Sequence, residues 1–95
     1  MFVVLLKFSR HRDQAKAHMD GHKAWVQQGF ADKVFLLAGS IETGQGGAIL
    51  VNKVPHAELQ RRVNEDPFVQ HGVVDAEIVE ITPAMTDERL AFLKG

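Results

Sequence analysis

Cysteine is missing altogether from the chain, which excludes a disulfide, a thiolate nucleophile, an iron–sulfur cluster and any zinc site built on thiolates. That absence does not by itself fix the compartment. Long hydrophobic runs are missing too: Phe2 to Leu6 and Val34 to Ala38 fall far short of the roughly 20 residues that cross a bilayer. The N-terminus has no charged region followed by a cleavable apolar stretch, so the expectation is a cytoplasmic protein without a membrane partner. Charge of one sign is also lacking. Lysine and arginine total 11 against 12 acidic residues, a net charge of -1, and the basic residues are scattered, which argues against nucleic acid and anionic membranes as partners. No segment is polar or repetitive enough to be read as disordered or low-complexity.

What remains is an ordinary globular composition, 45% apolar and 24% charged over 95 residues. That is the length of one domain with a thin core, which association with a second copy would help. Residues 1–95 are read as a single domain with no linker and no repeat beyond the loose symmetry of two β-α-β units.

Phe2 to Phe8 suits a central strand with apolar groups on both faces. From about Arg12 to Gln28, Ala15, His18, Met19, His22 and Val26 recur at helical spacings, and Gly29 offers a stop. Val34 to Ala38 reads as a second strand, Gly39 to Gly47 as a glycine-rich loop, and Ala48 to Val54 as a third strand. Pro55 opens a helix running to about Glu65, with Leu59 and Val63 toward the core, and Pro67 ends it. Val73 to Ile81 alternates as an edge strand. Thr86 is placed to cap a short last helix carrying Leu90, Phe92 and Leu93.

The order β-α-β-β-α-β, with right-handed crossovers, predicts an α+β, ferredoxin-like domain. Its two helices lie on one face of a four-stranded antiparallel sheet, and a short C-terminal helix follows. The other sheet face is left open and apolar, so a homodimer packed sheet to sheet is expected.

Two groups of residues invite a chemical reading. His18 and His22 stand one turn apart on the first helix with Trp25 a turn further on, a stripe able to line a pocket. Two histidines at this spacing can share a metal, but a third ligand is missing and Met19 stands where the helical H-E-x-x-H motif has its glutamate. No metal or other cofactor is expected. The plain alternative is a half-exposed His18 and a His22 hydrogen-bonded against the sheet. The second group is Asp66-Pro67-Phe68 with Gly72, which reads equally as a turn, a helix stop, a core plug and a second turn.

In combination with His22-Lys23-Ala24-Trp25, Leu37-Ala38-Gly39-Ser40 and Gly46-Gly47-Ala48-Ile49-Leu50, that second group makes the chain resemble the YciI-like family over nearly its whole length. The resemblance implies a ferredoxin-like fold, a dimer related to the dimeric α/β barrels, and a site pairing a histidine with the aspartate of the Asp-Pro-Phe element. Those positions carry over as His22 and Asp66. Two departures stand out. Lys33 occupies a position where many relatives have glycine, and His18 offers a competing alignment for the family histidine.

A carboxylate bonded to one imidazole nitrogen fixes the tautomer and leaves the other nitrogen to act as base or acid. With no cysteine and no serine-nucleophile elbow, the pair suits cofactor-independent proton transfer of lyase, isomerase or hydrolase type on a small organic molecule. His18, Trp25, Ser40 and Phe68 are the candidate substrate-binding residues, with Phe35 adding to an aromatic wall. Gly44-x-Gly46-Gly47 is neither a P-loop nor a dinucleotide fingerprint. His71 lies near the Asp66 turn, and no role attaches to His11 or His56. Two other readings stay open: a non-catalytic binding or sensing module using the same pocket, and a haem-handling protein with His18 or His22 on iron.

Overall fold

A computed structural model of the chain describes residues 1–94. Four strands, β1 (Phe2–Phe8), β2 (Phe35–Ile41), β3 (Gly46–Val51) and β4 (Val74–Glu80), form one antiparallel sheet in the order β2-β3-β1-β4. Helices α1 (Ala15–Ala31) and α2 (His56–Asn64) follow β1 and β3, and a one-turn helix α3 (Pro67–Gln70) leads into β4. This is the ferredoxin-like arrangement expected from the sequence, with β1 and β3 in the centre and β4 at an edge.

Alternation along the central strand sets the layers. Phe2, Val4 and Leu6 are buried under the helices with Phe35, Ile49 and Val51, and Leu59 and Val63 of α2 press on them from above. Val3 and Leu5 point to the opposite face, where Leu37 and Val79 are exposed.

Several boundaries differ from the sequence reading. Helix α1 does not stop at Gly29 but runs two residues further, because Gly29 is a packing position: a Cβ there would lie 2.1 Å from the Phe35 ring. The turn that ends α1 is built on Lys33, at φ 61°. Its N–H bonds to the carbonyl of Phe30 and that of Val34 to the carbonyl of Gly29, the pairing of a helix end that favours glycine at the left-handed position. Lys33 thus fills the glycine position with a strained lysine. The glycine-rich segment is no long loop either. Strand β2 extends to Ile41 and β3 begins at Gly46, leaving a four-residue hairpin turn with Thr43 and Gly44 at positive φ. At the C-terminus the last segment is a 3-10 turn over Glu88–Leu93, capped by the Asp87 carboxylate rather than by Thr86.

Pro67 does not merely end a helix. Helix α2 is finished by Asn64, and Pro67 opens α3, with Asp66 in the extended conformation that a residue before proline prefers. The Asp66 side chain accepts the N–H of Phe68 at 3.0 Å, an N-cap. Gly72, at φ 68°, closes the other end through the Gly72 N–H to Val69 and Val73 N–H to Phe68 carbonyl bonds. A four-residue helix stapled at both ends holds Phe68 under α1.

Candidate active site

The core face of the sheet changes along its strands. At one end it carries Phe35, Ile49 and Val51; toward the other the same face carries Ala38, Ser40 and Gly47. Helix α1 spans both ends, so where the side chains shrink a cleft opens between helix and sheet. Its volume is about 440 Å³, and Met19, His22, Lys23 and Val26 of α1 form its roof. These four recur at helical spacing and so share one face of α1.

His22 stands on the cleft wall with its side chain 18% exposed, and its Nδ1 lies 2.8 Å from Oδ1 of the fully buried Asp66. A carboxylate has no proton to donate, so Nδ1 carries the hydrogen and, in the neutral ring, the Nε2 lone pair is free. Oδ1 serves two donors, His22 Nδ1–H and Phe68 N–H, whereas Oδ2 is buried without a hydrogen-bond partner among the described residues. A buried carboxylate oxygen left bare is unfavourable, so Asp66 depends on these two bonds. The Phe68 ring stacks on the imidazole at 4.0 Å and 5°, which holds the ring plane. Two residues from different thirds of the chain meet because α1 passes close over α3. A Cβ on Gly21 would stand 3.1 Å from the Pro67 ring, so the glycine beside His22 lets the helices approach.

The structure brings His22, Ser40 and Phe68 to the cleft and leaves Trp25, His18 and the core residue Phe35 out of it. Trp25 is turned into the core, donating its Nε1–H to the carbonyl of Arg62 at 2.9 Å and meeting Phe35 edge to face. Its ring backs His22 at 6.0 Å instead of facing the cleft. His18, one turn before His22, stacks face to face on His71 at 3.8 Å. That engagement separates the two histidines that the sequence left in competition: His22 meets Asp66 and His18 does not. Lys23 joins the expected face of Met19, His22 and Val26 on the cleft wall, since a residue four after Met19 and three before Val26 lies on the same side of a helix. Among the described residues no three histidine, aspartate or glutamate side chains cluster as a metal site, and no helix is long and apolar enough to cross a membrane.

Away from the cleft, Asp32 at the end of α1 is held below the usual carboxylate range by hydrogen bonds from Gln28 and then Arg62. The Arg62 contact, 2.9 Å long, ties α2 to the end of α1.

No family model matches the chain, and no curated protein matches it. Among solved structures it is similar to the 5-chloro-2-hydroxyhydroquinone dehydrochlorinase TftG from Burkholderia phenoliruptrix AC1100, in complex with 2,5-dihydroxybenzoquinone. The TM-score is 0.69 at 14% identity, over 85% of this chain and 93% of that one. At this identity the likeness is one of fold.

Proposed function

We propose that the chain is a YciI-like enzyme in which His22 transfers a proton at the cleft and Asp66 orients it, acting on a small organic molecule in a lyase, isomerase or hydrolase step. The 2.8 Å bond between His22 Nδ1 and Asp66 Oδ1 carries this reading, because it aims an unprotonated Nε2 away from the buried carboxylate. When Nε2 takes a proton, the imidazolium sits against the Asp66 charge, which stabilises it without moving. The fold accommodates such chemistry, since the similar dehydrochlorinase is an enzyme with a quinone in its structure; fold alone does not assign the reaction.

The binding-module reading also has an observation behind it. Asp66 caps α3 through Phe68 N–H, and that role needs no chemistry. The test takes the His22 ring by 15N-resolved NMR in wild type and Asp66→Ala, and follows a panel of small carbonyl and hydroxyaromatic compounds for turnover. The enzyme reading expects one dominant Nδ1–H tautomer, its loss in Asp66→Ala, where the acceptor of the Nδ1–H bond is gone, and a compound converted by wild type but not by His22→Gln. Compounds bound and recovered intact throughout would assign the cleft to binding.

A second copy is proposed for the open sheet face. Its apolar centre, Val3, Leu5, Leu37, Leu50 and Val79, ends in Lys7 opposite Asp75 with Glu77 beside it. A two-fold interface uses the same patch on both copies, and this one offers apolar residues to bury and charges of both signs to pair across the axis.

A further inference from the structure

The polar side chains on the cleft wall are His22, Lys23 and Ser40, and the remainder is apolar or glycine. Lys23 takes part in none of the ion pairs among the described residues. No carboxylate lines the cleft, since Asp66 is buried behind the imidazole. An ammonium without a counterion at the mouth of an apolar slot attracts an anion. The floor of the slot is sheet: Ala38, Ser40 and the glycines at 39, 46 and 47 present little side chain there, beside the apolar side chains of Leu6, Phe8 and Val74.

We infer that the cleft takes a small planar organic anion whose ionised oxygen, a carboxylate or a phenolate, is held by Lys23 and by the Ser40 hydroxyl. This rests on the cleft being the substrate site and names its substrate class. The ring lies between this apolar floor and Met19 and Val26, with one edge at His22 Nε2. In the proton-transfer step, Nε2 takes a proton from a C–H or second O–H conjugated with the ionised oxygen. The electron pair of that bond stays on the substrate and is delocalised toward the oxygen. Negative charge therefore grows next to the lysine, where a fixed cation stabilises the transition state more than the ground state. The electron pair then accepts the proton back from His22 Nε2 at another atom, or expels a leaving group that departs with the bonding pair while His22 gives up its proton to that group or to solvent.

The test uses isosteric probes that differ in charge: benzoate against benzamide, and 4-nitrophenolate against its methyl ether, with affinities measured by calorimetry on wild type, Lys23→Gln, Lys23→Arg and His22→Gln. Wild type is expected to favour at least one anion over its neutral partner by roughly tenfold, and the preference should shrink as salt is raised. Lys23→Gln should abolish it, Lys23→Arg should retain it, and His22→Gln should leave it in place because the charge stays on Lys23. Which pair discriminates separates carboxylate from phenolate recognition. Equal affinities within both pairs on wild type, or a preference that survives Lys23→Gln, would overturn the inference. The two readings fail separately. Anion preference through Lys23 with no compound converted removes the catalytic reading alone, and turnover of neutral compounds without anion preference removes the Lys23 assignment alone.

Discussion

Truncating Asp66 to alanine removes two bonds at once, and the structure sets the size of the effect. The Phe68 N–H loses its cap acceptor, worth about 1–2 kcal/mol in comparable N-caps. The His22 Nδ1–H loses its partner in a site only 18% exposed, adding about 1–2 kcal/mol for a donor left in poor contact with water. Relief of the bare Oδ2 atom works the other way, so the expected net loss is about 2–3 kcal/mol, against a total of about 5–15 kcal/mol for a typical domain. At roughly 4–8 °C per kcal/mol for a domain of this size, Tm should fall by about 10–20 °C. Asp66→Asn keeps the shape and one acceptor for Phe68 N–H, but puts an amide NH2 where Oδ2 had no partner, and should lose only about 1–2 kcal/mol. Urea titrations followed by the fluorescence of Trp25, the lone tryptophan, read both variants, because its ring lies beside His22. An Asp66→Ala protein within about 0.5 kcal/mol of wild type, the scatter of ordinary surface changes, would refute this account of how α3 is held.

Lys33→Gly should stabilise by about 0.5–1 kcal/mol, since glycine relieves the left-handed residue that ends α1; a loss in urea midpoint would contradict the strain argument. Gly29→Ala should destabilise by about 1–3 kcal/mol even though alanine is the better helix former, because its Cβ meets the Phe35 ring. Asp32 has a lowered folded-state pKa, so its contribution is present above the ordinary aspartate value of 3.8 and fades as pH falls through the lower folded value. The stability gap between wild type and Asp32→Asn should accordingly be open at neutral pH and close in acid, and a gap independent of pH would count against the Gln28 and Arg62 bonds. Leu5→Glu, on the open sheet face, should leave only monomer in light scattering where the proposed dimer forms; a dimer mass unchanged by the substitution would place the interface elsewhere.

The sequence carried the architecture because period-2 and helical spacing respond to burial, and burial is what the layers share. Phe2, Val4 and Leu6 alternate with Val3 and Leu5, and Leu59 and Val63 are one turn apart; each pair ended on the face its spacing required. Boundaries were less legible where a glycine has two physical uses. Gly29 looks like a stop and is a contact point for Phe35, while Lys33, with nothing in its chemistry to announce a turn, is the residue at positive φ. The glycines after Ala38 likewise look like a loop, yet Gly39, Gly46 and Gly47 are held in register by pairing between β2 and β3, and Gly44 alone of them lies in the turn.

By itself, then, the sequence determined the order and type of the four strands and the two long helices, the two faces of the central strand, and the presence of histidine and aspartate in segments that the fold could bring together. Only the tertiary structure decided which histidine meets Asp66. His18 and His22 are equivalent in composition and one turn apart, and what separates them is the position of α3 under α1, a contact across 44 residues of chain. The same packing turned Trp25 toward Arg62 and Phe35, gave His18 to His71, and left Lys23 facing the cleft. Such choices depend on the angle and distance between two helices, which local residue spacing does not encode.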